Sequence, residues 1–126
     1  MSRGQINFDK LIEEGFPSAS IPAGEKVFLQ GDAGGTMYIV RSGAIDVLMF
    51  GQVLETVTEG GIVGEISLID ESPRSAAALA ATNAEVTILD RPAFLELIKA
   101  EPDFAFYVLR TLSQRLRKLD ALIGKN

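Results

Sequence analysis

A carboxylate and an arginine nine residues apart, Glu65 and Arg74, stand in the stretch GGIVGEISLIDESPRSAAA that runs from Gly60 to Ala78. Arg74 carries a planar, permanently charged fork suited to phosphate oxygens. Glu65 is acceptor-only when ionised, so it repels phosphate but suits the hydroxyls of a sugar. Glycines at Gly60, Gly61 and Gly64 free the backbone to turn tightly and approach another group closely. The run from Gly64 to Ile69 is long enough for about one and a half helical turns, and a helix start offers unpaired N–H groups to an anion. Ser72-Pro73 then breaks the run and delivers Arg74 and Ser75 onto an alanine-rich, extended segment. The combination suits a ligand carrying a phosphate with a sugar beside it, a nucleotide-like molecule. Singly, each residue has a plainer meaning: Glu65 a helix-start carboxylate, Arg74 a solvated turn arginine, the glycines turn residues. Their order and spacing favour the joint reading.

The elements around this stretch must hold it in place. Short runs rich in β-branched residues alternate with glycine turns, predicting strands at Ser20–Ile21, Lys26–Leu29, Met37–Arg41, Ala44–Phe50 and Val53–Val57, then Ala77–Ala81 and Glu85–Leu89. Such close spacing leaves no room for helical crossovers, so the sheets are expected to be antiparallel. A jelly-roll barrel limits exposed strand edges. The expected fold is mainly β with flanking α, one domain spanning all 126 residues. It comprises an N-terminal helix within 1–16, an antiparallel jelly-roll β-barrel over 18–90, and two C-terminal helices over 91–123. Ile6, Phe8, Leu11 and Ile12 give the first helix its apolar face. Arg91–Ala100 carries a proline in its first turn, where proline is tolerated. Pro102 marks the break before a longer helix, Asp103 to Ile123, about 31 Å long.

On that last helix Leu109, Leu112, Leu116, Leu119 and Ile123 repeat at spacings of 3, 4, 3 and 4. The seam covers about two heptads. It serves either to pack the helix on its own barrel or to pair two copies, and both readings stand open. Arg110, Arg115, Arg117 and Lys118 read as a solvated face. On the strand Ala44–Phe50 the side chains of Ile45, Val47 and Met49 share one face, which Val57 can join. Their first reading is core.

The segment VGEISLIDESPRSAAALA resembles the phosphate-binding cassette of the cyclic nucleotide-binding domain family. That pattern runs Phe-Gly-Glu, an aliphatic residue, a small residue and Leu, then a spacer and Pro-Arg followed by two small residues. Here it reads Val63-Gly64-Glu65-Ile66-Ser67-Leu68 and Pro73-Arg74-Ser75-Ala76, departing at Val63 where the family usually has an aromatic. The stretch IPAGEKVFLQGDAGGTMYIVRSGAIDVL, with Gly24, Gly31 and Gly43, is similar to the first half of the family's barrel, and the likeness covers about residues 7–123. The resemblance implies a cassette over 60–78 whose ligand-binding residues are Val63, Gly64, Glu65, Ile66, Ser67, Arg74, Ser75 and Ala76. Within it Glu65 and the Gly64 backbone would hold a ribose, and Arg74, Ser75 and backbone N–H groups the cyclic phosphate. It further implies cyclic AMP or cyclic GMP as ligand and a regulatory role toward an effector protein or domain. Val47, Met49 and Val57 would then form an apolar pocket wall, and 103–123 the seam of a homodimer.

Composition narrows the alternatives. Net charge is −5, from 12 basic and 17 acidic residues, which speaks against a general nucleic-acid or anionic-membrane binder. Neither cysteine nor histidine occurs, which removes disulfides, thiol catalysts, His-based triads and His-ligated metals. A metal-dependent cupin on a similar barrel would need those histidines, so no enzyme and no cofactor are expected. The start MSRGQINFDK lacks the apolar core of a signal peptide, and no apolar run reaches bilayer length, so a cytoplasmic location is expected. An interaction module that kept the barrel but lost its ligand would show Glu65 or Arg74 replaced; both are present. A DNA-binding member of the family would continue past Asn126 with a helix-turn-helix. The chain therefore reads as a stand-alone sensor acting on a partner, or as a piece of something larger.

Overall fold

The computed structural model describes residues 15–124; the helix expected within 1–16 lies almost wholly outside them. Eight strands come first to last as β1 (Ser18–Ile21), β2 (Lys26–Phe28), β3 (Thr36–Ser42), β4 (Ile45–Met49), β5 (Gln52–Val57), β6 (Ile62–Val63), β7 (Ala77–Ala80) and β8 (Ala84–Asp90). Three helices accompany them among the described residues: α1 (Glu65–Asp70) between β6 and β7, then α2 (Arg91–Ala100) and α3 (Pro102–Gly124).

Pairing runs from the outside of the sequence inward. β1 pairs with β8, β2 with β7, β3 with β6 and β4 with β5, each antiparallel. That is one long antiparallel ribbon rolled on itself, a jelly roll. Cross-pairings of β3 with β8 and β4 with β7 complete two four-stranded sheets, ordered β1-β8-β3-β6 and β2-β7-β4-β5. The expected barrel is thus a two-sheet sandwich, with β5 an edge strand. The ribbon folds tightest at Phe50-Gly51, where positive φ at both residues (52° and 77°) makes a two-residue turn between Met49 and Gln52.

Two cores follow from the alternation of side chains along the strands. Between the sheets lie Phe28, Val40, Ile45, Val57, Val63, Ala78, Ala80 and Ala84. On the other face of the β3–β8 sheet, Met37, Ile39, Ile62 and Leu89 meet Leu68 of α1, Leu97 of α2, and Phe104 and Val108 of α3. The middle of β3, Met37 to Val40, and both residues of β6 therefore pack on two sides, and these stretches are wholly apolar. A bulge between Val47 and Leu48 interrupts the simple alternation of β4. Val57 and Ile45 belong to the core, as their plainer reading has it, while Val47 and Met49 are half-buried.

Asp90 starts α2: its carboxylate accepts from the Ala93 N–H at 2.9 Å, with Pro92 in the first turn. The inner face of α3 is Phe104, Val108 and the half-buried Leu112, while Leu109, Leu116 and Leu119 of the leucine seam are exposed. Among the described residues no helix is long and apolar enough to cross a membrane.

Candidate functional site

Arg74 sits in the connection between α1 and β7, and its backbone is tied to the β2–β3 loop. Its N–H donates to Asp32 O at 2.8 Å and its C=O accepts from the Gly31 N–H at 2.9 Å. The residue is 4% exposed. Its guanidinium lies 4.2 Å from the centre of the Phe28 ring and 5.9 Å from that of Tyr38, stacked where a cation gains from an aromatic face. Nη1 donates to Gly64 O at 3.0 Å and Nη2 to Thr36 Oγ1 at 2.9 Å. Nε, also buried, has no acceptor. A buried donor left unpaired is costly, and here it belongs to a fixed cation. Burial lowers the pKa of Arg74, against the opposing pull of Tyr38, Asp32 and Glu65; a guanidinium nevertheless stays charged. Such a group is ready for an anion.

Gly64 carries the close approach. It caps α1 with φ 83° and no side-chain cap, a conformation glycine adopts without penalty. A Cβ there would come within 2.7 Å of Arg74 Nη1. Ser67 is buried against the β2–β3 loop, where Gly34 leaves room for it: a Cβ on Gly34 would fall 2.2 Å from that of Ser67. Val63 turns into the inter-sheet core and Ala76 is buried, whereas Ile66 and Ser75 are exposed. The structure therefore brings Gly64, Glu65 and Arg74 together around α1, and directs the side chains of Val63 and Ser67 into packing.

Glu65 is 3% exposed, and α3 supplies its partner. Arg115 Nη1 donates to Glu65 Oε1. The other edge of the same guanidinium holds Glu55 of β5, Nε to Oε1 at 2.9 Å and Nη2 to Oε2 at 3.5 Å, while Nη2 also donates to Ile62 O at 2.7 Å. Burial alone would lower the pKa of Arg115, but the charge of Glu65 and the bond to Glu55 outweigh it and hold it above the usual value. Arg115 is thus no member of a solvated face; two carboxylates draw it inward, while Arg110, Arg117 and Lys118 do stay exposed. Its role escapes the sequence because its partners lie 60 and 50 residues away.

Two further bonds join the cassette region to the C-terminal helices. Arg91, the first residue of α2, donates to Leu68 O in the last turn of α1 at 2.9 Å, a favourable end for a cation. Tyr107 of α3 donates to Gly60 O at 2.5 Å, just ahead of β6.

The jelly roll thus buries an arginine with a spare donor beside a carboxylate. The sequence profile of the cyclic nucleotide-binding domain matches residues 19–101, and the chain belongs to that family, one of regulatory binding domains. The cyclic AMP receptor protein of Thermus thermophilus is 38% identical over 104 residues, covering 79% of this chain and 48% of that protein. The cAMP-dependent protein kinase regulatory subunit of Debaryomyces hansenii is 30% identical over 119 residues, 93% of this chain and 24% of that protein. The crystal structure of Thermus thermophilus catabolite activator protein superposes with a TM-score of 0.79 at 34% identity, over 92% of this chain and 57% of that one. The chain spans about half or less of the length of the curated relatives it matches.

Proposed function

We propose that this chain is the sensor of a signalling system, binding cyclic AMP or cyclic GMP and passing the event to an effector protein or domain through its C-terminal helices. The observation that carries the reading is Arg74, buried, charged and with an unpaired Nε beside Gly64 and Glu65. In this reading Arg74 and Ser75 hold the cyclic phosphate, and Glu65 with the Gly64 backbone holds the ribose. The names of the curated relatives, one a cyclic AMP receptor and the other a cAMP-dependent kinase subunit, support cyclic AMP as the ligand to try first.

Signalling follows as a population shift. Arg115 ties α3 to Glu65, and Arg91 ties α2 to the end of α1, so a ligand that engages Glu65 binds two helix arrangements unequally. The exposed Leu109, Leu116 and Leu119 on α3 fit pairing with a second copy, a point that sedimentation of a Leu116→Glu variant decides.

Calorimetric titration of nucleotide-stripped protein with each cyclic nucleotide tests the assignment. Charged hydrogen bonds are worth roughly 1.5–3 kcal/mol each, so Arg74→Leu is expected to weaken binding about tenfold or more. Unchanged affinity in both Arg74→Leu and Glu65→Ala would remove the site. Identical hydrogen exchange of Asp103–Ile123 with and without ligand would remove the helix movement.

A further inference from the structure

The Arg115 guanidinium is shared unequally between two carboxylates. Glu55 faces its Nε–Nη2 edge and receives both nitrogens, whereas Glu65 meets Nη1. A guanidinium edge with two parallel N–H groups is the stronger seat for a carboxylate. Here the partly exposed Glu55, its side chain 28% accessible, occupies that seat, and Glu65, 3% accessible, does not. Glu55 stands on the edge strand β5, outside the cassette, and nothing in the cassette pattern assigns it a role.

We infer that Glu55 is a positioning residue for nucleotide binding: it holds Arg115 side-on, so that the Glu65 carboxylate has a cation beside it yet stays open to a sugar hydroxyl. The inference rests on the proposed pairing of Glu65 with the ribose. Burying a carboxylate is costly unless a cation stands beside it. A cation fully forked onto it would occupy the lone pairs that a hydroxyl needs. Glu55 resolves this conflict by competing for the same guanidinium. When a ribose hydroxyl takes Glu65, Arg115 keeps Glu55 and the Ile62 carbonyl, so its own charge stays paired. Without the Glu55 charge, Arg115 turns its fork onto Glu65, and the sugar must displace it.

The test uses the full chain, calorimetry, and two ligands: the cyclic nucleotide that binds wild type, and its 2′-deoxy form. Glu55→Gln is expected to weaken the ribose ligand about five- to tenfold and the 2′-deoxy ligand far less. Glu55→Asp, which keeps the charge, is expected to restore most of the difference. In an Arg115→Met background, Glu55→Gln is expected to add nothing. An altered charge acting on the ligand's phosphate alone would move both ligands equally, and that result overturns the inference. So does a loss undiminished in the Arg115→Met background, or no loss in a Glu55→Gln protein that melts like wild type. Wild type that binds neither cyclic nucleotide refutes the ribose assignment itself, and the role of Glu55 falls with it.

Discussion

Replacing Gly64 by alanine separates the backbone of the site from its chemistry, provided a second glycine serves as reference. Gly64 and Gly24 hold nearly the same left-handed conformation, φ 83° and 86°. A side chain in that conformation costs about 1–2 kcal/mol. A Cβ on Gly24 would meet nothing within 4 Å, so Gly24→Ala carries that cost alone. On Gly64 the new methyl would lie 2.7 Å from Arg74 Nη1, 3.1 Å from Thr36 O and 3.3 Å from Phe28 Cε2. The guanidinium is the movable neighbour, and in retreating it gives up its bond to Gly64 O, a charged hydrogen bond worth about 1.5–3 kcal/mol. Gly64→Ala should therefore destabilise by about 2.5–5 kcal/mol in urea titration. Because Arg74 is displaced, cyclic nucleotide affinity should also fall about tenfold or more, while Gly24→Ala binds like wild type. Equal stability losses in the two variants, or full affinity in Gly64→Ala, would refute the placement of Arg74 against Gly64.

Three other perturbations probe a turn, a helix cap and a half-buried tyrosine. Phe50, 86% exposed, holds φ 52° in the β4–β5 turn. Phe50→Asn gives the Asn-Gly pair such turns prefer and should stabilise the fold by about 1 kcal/mol, seen as a higher urea midpoint with an unchanged slope. Asp90→Ala removes the side-chain cap of α2 and should cost about 1 kcal/mol in the same assay. Tyr107→Phe deletes the bond to Gly60 O, at a cost of about 1 kcal/mol. Burial holds the Tyr107 phenol above the ordinary value of 10.0. Its proton is therefore bound more tightly in the folded state, and the stabilisation is complete below that value and fades as pH rises through the folded-state value. An ultraviolet pH titration should show one tyrosine ionising late, and Tyr107→Phe should abolish that step.

Strands were legible wherever one face alternates. β2, β4, β5 and β8 fall within a residue or so of the runs that predict them. β6 was not, because Ile62-Val63 is two residues long, buried on both faces and set among glycines that read as turn. α3 carries two patterns at once. The leucine seam at heptad spacing stands out in sequence, but of its members Leu112 packs against the core, beside Phe104, Tyr107 and Val108, while Leu109, Leu116 and Leu119 are exposed. Gly64, Glu65 and Arg74 lie within ten residues of one another, so their grouping could be read from spacing, although Phe28, Thr36, Tyr38 and the β2–β3 loop fix how Arg74 lies. The Arg115–Glu55 pair is a product of tertiary folding, and a lone surface-type arginine gives no sign of it.

The rolled ribbon also dictates when this protein can become a protein. β1 waits for β8: Ser20 and Glu85, 65 residues apart, are partners. On a ribosome, the first strands emerge with their edges open, and the outermost pairing cannot close until the chain has passed Asp90. α2 and α3, which cover the outer face of β3 and β6, come later still. Pairings of such long sequence separation form slowly, since loop-closure entropy is met before contacts repay it. The tight Phe50-Gly51 turn is the natural place for the roll to begin, because β4 and β5 are the one pair that needs nothing downstream. The expected order of assembly then runs from the middle of the sequence outward, with the arginine and carboxylate of the cassette acquiring their geometry only after most of the chain exists.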